Sequence, residues 1–253
     1  MRFEHTEVSG FEAALRGMRN PFHSWERGDS EGERIGPADL SLAAKLCKAG
    51  PEHRKFLRMI LVTTDITAPL YWWKEFDTYK VGTAANSGST MHRLAKEEIT
   101  AASFERTSLV PADETSQSLE ALRTDVYRLC ESLRLAFLRT KDERYWKTLI
   151  ELLPGSFLQR RTVLLNYEVI RNMVRQRKVH RLREWSEEFL RFAERLPYSK
   201  ELIFDECPRD KPRALRFFSQ SARRDLLLGA RFRSRKRRQI HCQSREKRSE
   251  KGV

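Results

Sequence analysis

LLPGSFLQRRTVLLNYEVIRNMVRQRKVHRLREW, residues Leu152–Trp185, changes period partway along. Arg161–Leu165 is short, apolar and β-branched, the signature of a buried strand. From Val169 the apolar positions fall at Val169, Ile170, Met173 and Val174, which is helical spacing. Asn166 stands at the junction and reads as the N-cap of the helix, with Glu168 in its first turn. The apolar face continues through Trp185, Phe189 and Phe192, predicting one long helix over Tyr167–Leu196.

Working outward, Gly36–Pro51 is punctuated as a helix. Pro37 lies near its first turn, Leu40, Ala43, Ala44 and Cys47 form its apolar face, and Gly50-Pro51 stops it. Arg54–Thr64 reads as a strand, after which Thr67-Ala68-Pro69 starts a helix through Leu70, Trp73 and Phe76. Residues 1–8 alternate as an edge strand does, Phe11–Met18 suits a short helix, and Asn20–Ile35 is a polar loop. Gly82–Thr90 (GTAANSGST) is small and polar, a loop that either meets a ligand or merely connects. Within Ser116–Arg139, Leu119, Leu122, Val126, Leu129 and Leu133 recur at three and four residues. That leucine face belongs to a core or a subunit interface rather than to a cofactor site. Pro208 and Pro212 end the regular pattern, which divides the chain into a domain over 1–205 and a tail over 206–253.

A chain of 253 residues with 40% hydrophobic content can bury a full core without covalent staples. Cys47, Cys130, Cys207 and Cys242 are scattered, with no CxxC pair and no histidine at ligand spacing, so neither a disulfide framework nor a metal site is expected. The implied setting is reducing and cytoplasmic. The opening residues lack the apolar run of a secretory signal, and the strongest apolar run, Met59–Val62, is far too short to span a bilayer, so no membrane association is expected. Of the net charge of +14, Arg231–Val253 carries +8, ten Lys and Arg against two Glu. This tail has almost no apolar content and is expected to be disordered. It is either a binding element for a polyanion such as nucleic acid, with Phe217, Phe218 and Phe232 interleaved, or a solubilising extension. The Rossmann, P-loop, nucleophile-elbow and HExxH patterns do not occur.

Across roughly residues 36–198 the chain resembles the flavin-dependent thymidylate synthase family. The family's second motif runs from Leu-Pro through a strand to Asn, then along a helix bearing a second Asn and an Arg, and ends in a Trp/Glu-rich turn. Leu153-Pro154, Asn166, Asn172, Arg177 and Glu184-Trp185 match it without a gap. The first region, a Glu-His before a strand and then a charged signature, corresponds to Glu52-His53 and the segment from Trp72 onward. The resemblance implies an α/β fold of the α+β type: a twisted, mainly antiparallel sheet with long flanking helices. It assigns Asn166, Asn172, Lys74 and His53 to the FAD cofactor, and Arg177, Ser89 and Asn86 to the substrate. The implied reaction methylates dUMP to dTMP, with methylenetetrahydrofolate as carbon donor, reduced flavin as hydride donor and NADPH recharging the flavin. No nucleophilic cysteine is required and no catalytic residue is assigned. A homotetramer with sites at subunit interfaces is implied as well.

The chain departs from the family at charged positions. Trp72-Trp73-Lys74 replaces Arg-His-Arg, and Asn86-Ser87-Gly88-Ser89-Thr90-Met91 keeps only the Asn and the Ser of Asn-Glu-x-Ser-x-Arg, with Arg93 two residues further. Ile150 and Glu168 stand where arginines are usual. Lys replaces the charge of Arg but not its fork, so the resemblance implies weaker nucleotide binding or a different ligand. One of Trp72 and Trp73 can stack on a flavin or base and the other belongs to the core, because neighbours on a helix point about 100° apart. The alternative function is that of a catalytically inactive or repurposed relative, a nucleic-acid-binding or scaffold protein acting through the basic tail.

Overall fold

The computed structural model describes residues 1–106 and 114–204, and of 114–118 the backbone alone. The basic tail, with Phe217, Phe218 and Phe232, lies outside the described residues. Strands β1 (Arg2–Ser9), β2 (Leu61–Pro69), β3 (Ala84–Ser87) and β4 (Leu158–Asn166) form one sheet in the order β1-β2-β4-β3, and every pairing is antiparallel. The helices are α1 (Phe11–Arg19), α2 (Pro37–Ala49), α3 (Leu70–Phe76), α4 (Thr90–Arg93), α5 (Glu114–Thr140), α6 (Glu143–Leu152), α7 (Tyr167–Arg177), α8 (Leu190–Glu194) and α9 (Ser199–Leu202). The expected α+β architecture is therefore present.

The central pair, β2 and β4, stays in register without a break from Leu61 opposite Asn166 to Pro69 opposite Leu158. Alternation decides its faces. Val62, Thr64, Ile66 and Ala68 of β2, with Val163 and Leu165 of β4, are fully buried under the helices. On the other face Asp65 binds Arg160 at 2.5 Å and accepts from the Thr162 hydroxyl. Trp72, Trp73 and Phe76 of α3 pack into the main core with Trp185, Phe189 and Phe192. A second core joins Leu94, Ile99, Phe104, Tyr127, Cys130 and Leu149 between α5, α6 and the segment after α4.

Five sequence expectations are corrected. The strand read at Arg54–Thr64 begins later, because Lys55–Met59 forms a 3₁₀ turn that buries Phe56 and Leu57. It also runs on through Thr67 and Ala68, since the residue before Pro69 is driven to extended conformation and β4 extends far enough to pair it. Gly82–Thr90 is not simply a loop, for Ala84–Ser87 pairs with β4 as an exposed edge strand. The predicted helix over Tyr167–Leu196 breaks after Arg177 and resumes in a π-helical turn, Glu184–Phe189. Val179, the one apolar residue between Val174 and Leu182, is 79% exposed, so nothing between them holds a helix against the core. Finally, of the two places offered for the leucine face of α5, the core of this chain takes only Leu133, which packs against the second core, whereas Leu119, Leu122, Val126 and Leu129 are exposed and Tyr127, Cys130 and Arg134 are buried instead.

The loop between α1 and α2 is ordered by one carboxylate. Asp39 accepts from Arg19 Nε at 2.6 Å, from Ser30 Oγ at 2.6 Å and from the backbone N–H groups of Asp29 and Ser30. Burial opposes ionisation of Asp39, but the hydrogen bonds from Ser30, Arg19 and the Asp29 backbone outweigh it and hold its pKa below the ordinary value. A depressed folded pKa stabilises the fold fully above the unfolded value of about 4 and ceases to as pH falls through the folded one. Asp39→Asn is therefore expected to flatten the loss of stability between about pH 6 and about pH 3, measured by urea unfolding at each pH. Parallel curves for the variant and the wild type would show that this carboxylate does not contribute.

Candidate functional site

The candidate residues come from several elements, and β4 is the frame that relates Asn166 at its C-terminal end to Ser89 near its other end. At its C-terminal end Asn166 is buried, and its Oδ1 accepts from Val169 N at 2.9 Å, the N-cap read from the sequence. Its Nδ2 donates to Gly82 O at 3.2 Å, tying the approach to β3 onto the start of α7. Gly82 has φ +71°, and a Cβ there would lie 2.5 Å from Asn166 Nδ2, so both its conformation and this close approach require glycine. An amide offers two donor hydrogens and two acceptor lone pairs, so Asn166 keeps one of each for a ligand. Asn172 is half-buried on α7, and its amide has no hydrogen-bond partner among the described residues.

Next to this junction Arg54 Nε binds Glu168 at 2.8 and 3.1 Å, both side chains being buried. The acid noted at position 168 is thus compensated by a base from the segment before β2. The same pair brings His53 beside the first turn of α7, though the His53 ring is 53% exposed and faces Glu52 at 3.5 Å. Lys74 is exposed on α3. Its neighbours Trp72 and Trp73 are both buried, so the expectation that one of them stacks on a ligand is not met. Trp72 stacks on Trp185 at 4.5 Å, while Trp73 donates its indole N–H to Ala68 O and Gln159 O and lies under the Arg161 guanidinium at 4.2 Å.

Arg177 is engaged within the chain. Its Nη1 binds Glu75 at 2.7 Å, its Nε donates to the Tyr79 hydroxyl at 2.9 Å, and its plane lies 4.9 Å from the Trp185 ring. Sequence reading singled out neither Glu75 nor Tyr79. Both follow the degenerate Trp72-Trp73-Lys74 triplet on α3 or just beyond it, where the signal was the loss of cations rather than the gain of an acid. Close by, Tyr71 donates to Glu184, and burial together with this carboxylate raises the Tyr71 pKa.

Ser89 lies at the other end of β4. Gly88 N donates to Arg160 O at 2.9 Å and Gln159 Nε2 donates to Gly88 O at 3.0 Å, which fixes the turn before α4. Ser89 caps α4 and contacts His92 Nδ1 at 2.7 Å. It lines a pocket of ≈ 390 Å³ with Arg2, Thr90, Arg93 and Arg160 at its polar rim and Leu94, Ile99, Phe157 and Leu158 as apolar wall. Glu97 and Glu98 also line it, Glu97 being paired with Arg93. Asn86, exposed on β3 opposite Thr162, lies between the two ends. Six residues of strand separate Arg160 from Asn166, roughly 20 Å at about 3.3 Å per residue. One chain therefore does not bring Ser89 and Asn166 to the same small group. Among the described residues no three His, Cys, Asp or Glu side chains form a metal-like group, and no helix is long and apolar enough to cross a membrane.

No protein-family model matches the chain, and no curated protein matches its sequence. In three dimensions it is similar to the flavin-dependent thymidylate synthase of Helicobacter pylori complexed with FAD and dUMP, with a TM-score of 0.61 at 16% identity over 82% of this chain and 99% of that one. A second structure of thymidylate synthase X from Helicobacter pylori, with FAD and dUMP, gives 0.60 at 16% identity over 81% and 97%. The fold is that of the flavin-dependent thymidylate synthases. Within this thymidylate synthase fold, the strand-to-helix junction at Asn166 and the pocket at Ser89 are the two places where sequence motif and geometry meet. Asn166→Ala removes both the cap and the tie to Gly82, and is expected to cost about 1–2 kcal/mol in urea unfolding. An unchanged midpoint would mean that the amide is not structural.

Proposed function

We propose that this chain binds FAD and dUMP and methylates dUMP to dTMP, taking the carbon from methylenetetrahydrofolate and using NADPH to recharge the flavin. The observation that carries this reading is the pocket beside Ser89, on a fold whose solved relatives hold FAD and dUMP. Its volume of ≈ 390 Å³ suits a small ligand, and Arg2 with the Ser89 and Thr90 hydroxyls suits a nucleotide phosphate, which Arg93 and Arg160 can join by exchanging their exposed pairs with Glu97 and Asp65. Its apolar wall of Leu94, Ile99, Phe157 and Leu158 suits the face of a base. For the flavin, the amide of Asn172 and the remaining donor and acceptor of Asn166 suit a heterocycle edge, and the exposed His53 and Lys74 are offered to its phosphates. Trp72 and Trp73 are unable to contribute, being committed to the core. Bound reduced flavin would supply the hydride.

The roughly 20 Å between the two halves supports assembly from more than one copy. The α5 face suits that role: Leu119 is 39%, Leu122 60%, Val126 39% and Leu129 48% exposed, at the three-and-four spacing of a helix-pairing seam.

Two measurements check this. Purified protein reconstituted with FAD is expected to show a flavin spectrum and to release tritium from C5-labelled dUMP when folate and NADPH are added. Ser89→Ala is expected to raise KM for dUMP about tenfold through the loss of one charge-assisted hydrogen bond. A colourless protein that releases no tritium overturns the proposal, whereas a flavoprotein without release marks a repurposed relative. For the assembly, Leu122→Glu with Leu129→Glu is expected to yield a smaller species by light scattering with unchanged circular dichroism. The same mass before and after substitution would remove α5 as the interface.

A further inference from the structure

Just after the Trp72-Trp73-Lys74 triplet, Glu75 at the end of α3 and Asp77 at its C-cap each capture an arginine, from α7 and β4 respectively. Asp77 binds Arg161 at 2.7 Å, and Glu75 binds Arg177 at 2.7 Å. Glu75 Oε2 is also 3.3 Å from His180 Nε2, so one carboxylate oxygen faces both donors at the C-terminal end of α7. The guanidinium has further contacts at Nε and on its faces. Tyr79 takes Nε and in turn donates to Gln176 at 2.9 Å, and the rings of Trp185 and Tyr79 lie 4.9 and 5.5 Å from Cζ. Arg177 is 18% exposed and Glu75 32%, so the acid is the more solvent-facing partner.

We propose that Glu75 is a specificity-determining residue that keeps phosphates off Arg177. An anion approaching Arg177 meets a fork whose Nη1 is already neutralised by a carboxylate, and the like charges of ligand and Glu75 repel at close range. An uncharged carbonyl avoids that repulsion, because it needs only a donor and carries no net charge. The same acid explains how the half-buried Arg177 can lie against two aromatic rings, since a cation withdrawn from water needs a partner. This inference goes beyond the proposed reaction. It concerns which class of ligand reaches Arg177, whatever the chemistry that follows.

The test is calorimetric titration of the full-length protein with inorganic pyrophosphate, in the absence of flavin and dUMP, so that its outcome is separate from that of tritium release. Glu75→Gln keeps the shape of the side chain, and is expected to bind pyrophosphate at least about tenfold more tightly than wild type. Adding Arg177→Gln is expected to abolish the gain, which distinguishes this site from the arginines around Ser89. Equal affinity of Glu75→Gln and wild type, or a gain that survives Arg177→Gln, overturns the proposal. Should Glu75→Gln not fold, Glu75→Ser is read by the same two outcomes. Failure of both to fold also counts against it, because an acid that the fold cannot lose is a staple and not a filter.

Discussion

The unbroken antiparallel pairing of β2 with β4 is the constraint on which the rest of this structure depends. Nine residues on each strand are matched, from Leu61 opposite Asn166 to Pro69 opposite Leu158. A slip of one residue would turn Val62, Ile66, Val163 and Leu165 outward and bring Asp65 and Arg160 into the core, so burial itself enforces the register. That register places the N-cap of α7 at one end of the sheet. At the other end it places the start of α3 and the pocket beside Ser89. Both halves of the candidate site are consequences of it.

Much of this was legible in the sequence. The change from strand to helical period across Asn166 located β4, α7 and the cap, because local chemistry alone settles where a helix begins. The edge strand at residues 1–8 and the helix before Gly50 were legible for similar reasons, alternation in one case and punctuation in the other. What escaped was set by tertiary partners. Ala84–Ser87 has the composition of a loop and becomes a strand only because β4 offers it an edge. The leucines of α5 are spaced like a core face, yet the helix is rotated so that Tyr127 and Cys130 face inward, and periodicity cannot choose between two apolar stripes. Of the site, Asn166 and Ser89 were legible as motif positions. Their separation along β4 was not, since distance across a sheet is a property of register.

Charge shows the same dependence on partners. Glu168 looks like the loss of a basic residue when read alone, but Arg54 supplies a base from another segment, and the buried pair is neutral. Truncating one member of such a pair typically costs about 3–5 kcal/mol, whereas replacing both by apolar residues can be neutral, so the pairing ties the segment before β2 to α7. Glu75 with Arg177 and Asp77 with Arg161 repeat the arrangement at α3. Arg177, placed on sequence grounds to meet the substrate, is thereby engaged in holding the end of α3 to α7, as Arg161 holds it to β4. At the Ser89 pocket Arg93 and Arg160 are paired as well, with Glu97 and Asp65, but these guanidinium groups are more exposed than that of Arg177, so water screens their pairs and a nucleotide can compete for them.

The account assigns the nucleotide to the end of β4 near Ser89 and not to the end near Arg177. Hydrogen–deuterium exchange of the purified protein with and without dUMP tests this most directly. Slowed exchange across residues 88–94 and 157–160, with residues 166–177 unchanged, is the predicted result. Protection confined to residues 166–177, or none at saturating dUMP, would contradict it.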